Sequence, residues 1–214
     1  MKRPGKIVCV GRNYIEHARE LGNEMPAEPL LFLKPPSAVI ASGDPIRLPK
    51  ASSQVEYEGE IGVVIGTALS DADEAEALRA IRGIVAANDV TARDLQKRDS
   101  QWTRGKGFDT FCPIGDEAPV PADLSALEVV TRVNGEERQR GRVSQMAFGI
   151  PMLLSYISRV MTLEPGDLVL TGTPAGVGKL APGDVVEVEI AVGGADPQGG
   201  RPGVSRVHNP VQDR

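Results

Sequence analysis

The stretch VEYEGEIGVVIG, residues 55–66, sets the fold and the chemistry of this chain. Alternation along an extended strand puts Glu56, Glu58 and Glu60 on one face and Tyr57, Ile61 and Val63 on the other. Beyond Glu60 the acidic face continues into Gly62 and Val64, which suits a protein interior better than open water. Like charges two residues apart on one face repel, and burial sharpens the repulsion. A divalent cation would relieve both problems, whereas a solvated strand face would need none. The strand alone fits either.

Upstream, residues 6–10 read as a short strand ending at Gly11. Asn13 with Glu16 three positions later predicts a capped helix, and Gly22 stops it. Pro26, Pro29, Pro35 and Pro36 keep the segment around LLFLK extended. Downstream, Ser70 with Asp73 predicts a capped, alanine-rich helix to about Arg82. The apolar run 84–87 predicts a buried strand ending at Asn88 and Asp89. Thr91 with Asp94 then opens a helix through Lys97, and residues 99–112 carry no period and read as a loop.

Further on, residues 127–134 predict a strand that ends in the hairpin signal Asn134–Gly135. Pro151 suits the first turn of a helix over 152–161. LEPGDLVL at 163–170 and LAPGDVVEVEI at 180–190 each place Pro-Gly in a type II turn that feeds a strand. Residues 193–203, GGADPQGGRPG, read as a mobile loop. Strands dominate and do not alternate with long helices. The expected fold is a β-dominated α+β domain spanning residues 1–214.

Composition bounds the function. A chain of 214 residues buries roughly 70% of the surface its unfolded form exposes. The formal net charge is −5 with no basic stripe, and aromatics are 4%, so neither a phosphate footprint nor a base-stacking platform is visible. Nucleic acid is excluded as the expected partner. Cys9 and Cys112 match no metal or redox spacing and point to a reducing compartment. The apolar run after MKRPG is too short for a signal peptide or a membrane span, so a cytoplasmic protein with no membrane partner is expected.

Several residues could carry chemistry. Asp89 lies where a buried strand gives way to a helix; alone it would be a capping aspartate. With Glu58 and Glu60 it makes three hard oxygen donors, which suit Mg²⁺ or Mn²⁺ better than Zn²⁺, provided the two strands are neighbours. His17 and Glu20 are three apart on one helix, where a carboxylate can orient an imidazole as a general base; a surface ion pair fits the same spacing. Lys106, flanked by Gly105 and Gly107, could neutralise a developing oxyanion or simply be solvated. His208 has no evident partner and reads as structural. The segment LTGTPAGVGK is not a phosphate-binding loop, because Leu180 follows Lys179, and Pro182–Gly183 closes off the helix that a dinucleotide fingerprint needs.

These pieces occur together in one arrangement: GRNYIEHARELG at 11–22, LFLKP at 31–35, VEYEGEIGVVIG at 55–66, NDVTARDLQ at 88–96, WTRGKGFDTFCPIG at 102–115 and SYISRVMTLEPGDLVLTGTPAGVG at 155–178. The chain resembles the fumarylacetoacetate hydrolase family, in particular its small acylpyruvase branch. The resemblance implies a mixed β-roll, usually dimeric, with Glu58, Glu60 and Asp89 as ligands of Mg²⁺ (Mn²⁺ or Ca²⁺ being alternatives). It implies His17 and Glu20 as a general-base dyad on a lid helix, and Lys106 as the stabiliser of enolate charge. Arg93, Gln96 and Thr173 fall beside the substrate carboxylate or a metal-bound water, and Glu56 has no implied role. The implied activity is hydrolysis of an acylpyruvate such as fumarylpyruvate. Alternatives are decarboxylation or tautomerisation of oxaloacetate, isomerisation of a 2-hydroxymuconate-type diacid, or dicarboxylate binding without turnover.

Overall fold

A computed structural model describes residues 3–20, 22, 24–192 and 203–214. The loop expected at 193–203 lies outside the described residues, apart from the Gly203 backbone that opens the last strand. Strands dominate, and the longest helix among the described residues has only 11 residues. One mixed sheet orders the strands Leu30–Lys34, Ile7–Gly11, Leu168–Leu170, Gly59–Ile65 and Ile81–Asn88. A second runs Glu136–Arg142, Leu127–Val133, Val185–Val192, Gly203–Asp213 and Ile46–Leu48.

Alternating apolar side chains from both sheets meet in one core. Val8, Ile61, Val63 and Ile84 from the first sheet join Leu127, Val129, Val188 and Ile190 from the second. Burying each such side chain contributes roughly 1.5–3 kcal/mol. The Ile150–Val160 helix turns Ile150, Leu154 and Ile157 into the same core, as the i, i+4, i+7 spacing dictates. Both Asn134 (φ 54°) and Gly135 (φ 80°) adopt the left-handed backbone of a tight hairpin. Gly166 and Gly183, both at φ 93°, complete the two Pro-Gly turns. Among the described residues no helix is long and apolar enough to cross a membrane.

Several local expectations are corrected. The acidic stretch is not one strand: Val55–Tyr57 and Gly59–Ile65 belong to different sheets, and Glu58 sits at the break between them. Asn13 does not cap the Ile15–Glu20 helix. Its amide instead donates to Phe148 O (3.1 Å) and Thr171 O (2.8 Å), and its carbonyl accepts from Phe148 N (2.9 Å). The Glu74–Arg79 helix is capped by Asp73 with Glu76, a box shifted three residues from Ser70. Thr91 does not cap the Arg93–Arg98 helix, because its hydroxyl donates back to Asp89 O (2.8 Å). Within 99–112 the chain forms the short helix Thr103–Lys106.

The break at Glu58 brings the two halves of the site together. Gly59–Ile65 pairs antiparallel with Ile81–Asn88, with Gly59 opposite Asn88 and Glu60 opposite Ala87. Glu58 N donates to Asn88 Oδ1 (3.0 Å), and Asp89 N donates to Glu58 O (2.8 Å). Gly59 must be glycine for space: a Cβ there would lie 1.9 Å from Thr131 Oγ1. Gly59→Ala is therefore expected to lower stability by about 1–3 kcal/mol through overpacking. The added substitution Thr131→Ala removes the blocking hydroxyl, so urea unfolding of the double variant should recover most of that loss. No recovery would mean that Gly59 is required for another reason.

Candidate active site

Three carboxylates converge where the strands meet. Glu58, Glu60 and Asp89 are all buried, and one oxygen from each lies within 4.8 Å of the others. Lys106 Nζ reaches two of them, Glu58 Oε2 and Asp89 Oδ2, each at 2.6 Å. The Thr103–Lys106 helix delivers it, and Gly105 packs so closely on Gln96 that a Cβ there would meet that backbone at 3.0 Å. Glu60 lies apart from this pairing. Among the described residues a single hydrogen bond reaches its carboxylate, from Gly172 N at 2.7 Å.

The electrostatics follow from these contacts. Burial alone would raise the Glu58 pKa, but Lys106 and Arg93 outweigh it and hold the carboxyl well below its ordinary range. Burial, with Asp89 and Glu58 as like-charged neighbours, pushes Glu60 well above its ordinary value. Burial opposes the Lys106 charge, yet Asp89 and Glu58 raise its pKa overall. Four buried carboxylates here, counting Glu56, face the three buried cations Lys34, Arg93 and Lys106, which leaves one negative charge unmatched. An all-oxygen donor set around an under-compensated Glu60 fits a hard divalent cation.

His17 and Glu20 come together as expected. His17 is buried, and its Nδ1 lies 3.3 Å from Glu20 Oε2, while Glu20 Oε1 accepts from Gly176 N at 3.0 Å. His17, Lys106, Arg93, Gln96, Thr173 and the three carboxylates line one cavity of about 440 Å³, walled on its apolar side by Phe32 and Trp102. Glu20 stands behind His17, outside that lining. His208 lies elsewhere, with Nδ1 2.9 Å from Ser42 Oγ.

All three expected substrate contacts, Arg93, Gln96 and Thr173, already have internal partners. Arg93 Nε donates to Glu56 Oε2 (2.7 Å), Nη2 to Glu58 Oε1, and Nη1 to Gln96 Oε1 (2.6 Å). Arg93 thus braces Glu58, and Glu56 anchors Arg93. Thr173 Oγ1 donates to Gly59 O (2.9 Å) and accepts from Gln139 Nε2 (2.8 Å), which ties the 171–176 segment to the strand break.

Sequence reasoning missed two residues. Lys34 is fully buried at the end of LFLK, and its Nζ donates to Asp89 Oδ1 (2.6 Å), Lys106 O (2.6 Å) and Val90 O (3.2 Å). A lysine closing an apolar strand was the available signal. Gln139 also accepts from Gly59 N (2.9 Å), but it lies in a polar run, EERQRGR, where nothing sets it apart.

Comparison with known proteins gives the family. Over 192 residues the chain is 47% identical to a mitochondrial oxaloacetate decarboxylase of Dictyostelium discoideum, covering 86% of this chain and 88% of that protein. A mitochondrial oxaloacetate tautomerase of Arabidopsis thaliana is 44% identical over 195 residues, covering 88% and 87%. The crystal structure of 5-carboxymethyl-2-hydroxymuconate delta-isomerase from Mycobacterium smegmatis superposes with a TM-score of 0.87 at 42% identity, covering 99% of this chain and 80% of that one. The family model for the fumarylacetoacetate (FAA) hydrolase C-terminal domain matches residues 6–212, and this chain belongs to that family.

Proposed function

We propose that the chain is a divalent-metal-dependent enzyme that converts a short 2-oxo dicarboxylate through an enolate, with oxaloacetate tautomerisation or decarboxylation as the leading reaction. One observation carries the enolate chemistry: the buried ammonium of Lys106 lies against Glu58 and Asp89 in the cavity that also holds His17. Two relatives are named for oxaloacetate and support it as the leading substrate, while the Mycobacterium smegmatis structure, named for a 2-hydroxymuconate isomerase, keeps isomerisation of a longer diacid as an alternative on the same residues.

Glu58, Glu60 and Asp89 would hold the cation, with Mg²⁺ the first choice and Mn²⁺ or Ca²⁺ the alternatives. When bound, it supplies Lewis acidity to the 2-oxo-carboxylate end of the substrate. Glu20 holds His17 Nδ1, which leaves Nε2 to take a proton from the carbon next to the ketone and return it to oxygen. For decarboxylation, the bond between the carbon next to the ketone and its carboxylate breaks, CO₂ leaves, the electron pair is taken up as the enolate on the ketone oxygen, and the same carbon then takes a proton from water or from His17. In both cases Lys106 offers a fixed positive charge to the oxygen that becomes negative, and the buried setting strengthens the attraction.

A second reading keeps the same residues. If His17 deprotonates a water instead, the site hydrolyses an acylpyruvate to pyruvate and a carboxylic acid. The His17–Glu20 pair supports it as well, being suited to either proton. Assembly as a homodimer belongs with both readings, and sedimentation reads it directly.

The deciding assay offers purified protein oxaloacetate and several acylpyruvates, with Mg²⁺ and with EDTA. Oxaloacetate turnover that needs Mg²⁺ is expected, falling about 100-fold or more in His17→Ala. Acylpyruvate cleavage without oxaloacetate turnover would replace the leading reaction by the second. Undiminished turnover in EDTA would end the metal reading. Burial and its like-charged neighbours disfavour the ionised form of Glu60, and Glu60→Gln removes that cost of folding, so it should stabilise the EDTA-treated protein at pH 7 by on the order of 1 kcal/mol. The same variant should lose the rise in melting temperature that Mg²⁺ with oxalate gives the parent.

A further inference from the structure

Arg12 differs from every other cation at the cavity. Its backbone takes the left-handed conformation, φ 58°, which a non-glycine residue adopts only where its surroundings impose it. Those surroundings are rigid. Gly11 before it packs so tightly on Trp102 that a Cβ would meet the indole at 2.9 Å. Asn13 after it is held by three hydrogen bonds to Phe148 and Thr171. The chain thus fixes Arg12, a partly buried residue, in the wall of the cavity that holds the carboxylate trio.

That placement brings no internal partner. Lys34, Arg93 and Lys106 are each committed to buried carboxylates. The rim carboxylate Asp99 is gripped by Arg104, with Nε at 2.7 Å. Among the described residues the Arg12 side chain makes no hydrogen bond or ion pair, and neither does that of Lys97, which is exposed on the same rim. A guanidinium held in a strained backbone, unpaired and beside the apolar wall of Phe32 and Trp102, is suited to a carboxylate that arrives from outside.

We propose that Arg12 binds the second carboxylate of a dicarboxylate substrate, the one remote from the acidic trio, and so selects four-carbon 2-oxo diacids over monocarboxylates. The proposal rests on the function given above for what occupies the trio's end of the cavity. Lys97 adds positive potential at the rim and steers dianions inward.

Calorimetry with the Mg²⁺-loaded protein tests it without turnover. Malate and lactate share a 2-hydroxy acid end and differ by one carboxylate, while oxalate reports the trio's end alone. The parent should bind malate about ten- to a hundredfold more tightly than lactate, the scale of one charged hydrogen-bonded contact. Arg12→Gly, which accepts φ 58° without strain, should remove most of that preference while oxalate affinity and melting temperature hold. Arg12→Lys should keep part of it. An unchanged malate-to-lactate ratio in Arg12→Gly would overturn the assignment, as would equal losses for all three ligands. If oxaloacetate is turned over and the ratio does not move, only this inference fails. If the ratio collapses in a protein with no oxaloacetate turnover, the proposed reaction fails and the carboxylate subsite stands.

Discussion

Lys106 Nζ sits 2.6 Å from both Glu58 and Asp89 in the protein interior, and the arrangement around it depends on that contact. Separate burial of those carboxylates would cost several kcal/mol each. The lysine makes it tolerable, and Lys34 secures Asp89 and the Lys106 carbonyl from below. Arg93, anchored on Glu56, secures Glu58 from the side. Removing one member of such a network strands a charge on another. The fold must therefore hold two strands, a short helix and the end of a third strand in fixed register.

That register explains how architecture becomes chemistry. The antiparallel pairing of Gly59 with Asn88 sets Glu58 and Asp89 side by side just beyond the ladder, and Glu60 one step inside it. Gly59 is small enough to let Thr131 press against it, and Gln139 and Thr173 bind its backbone on both sides. Glu60 receives one backbone N–H and is left short of positive charge. The same interior that neutralises two carboxylates thus leaves the third under-compensated, as the proposed cation requires, in the cavity that His17 also lines.

Much of this was legible before the structure. Alternation and turn chemistry are local, so the β-dominated class, the Asn134–Gly135 hairpin, the Pro-Gly turns and the helix after Gly149 emerge from short windows. The convergence of Glu58, Glu60, Asp89, His17 and Lys106 rested on the family resemblance, because it depends on contacts between residues far apart in the chain, such as Gly59 with Asn88 and Glu58 with Lys106, that no local pattern encodes. The failures share a cause. Asn13 and Thr91 carry cap signatures, but other hydrogen bonds claim their side chains, across the fold to Thr171 O for Asn13 and locally to Asp89 O for Thr91. Alternation treated residues 55–66 as one strand because it cannot register that the chain leaves one sheet and enters another at Glu58. Lys34 and Gln139 escaped notice because a buried polar residue is identified by its partners, and those lie far along the chain.

The central claim is that Glu58, Glu60 and Asp89 form a divalent-cation centre that presents the metal to a 2-oxo acid. Electron paramagnetic resonance of Mn²⁺ with ¹⁷O-labelled oxalate reads both halves at once. The account predicts a protein-bound Mn²⁺ spectrum whose lines broaden with the labelled oxalate, and an aqueous-ion spectrum when Glu58 and Glu60 are both glutamine. A free aqueous Mn²⁺ signal beside excess parent protein, or lines that the label leaves unchanged, would contradict it.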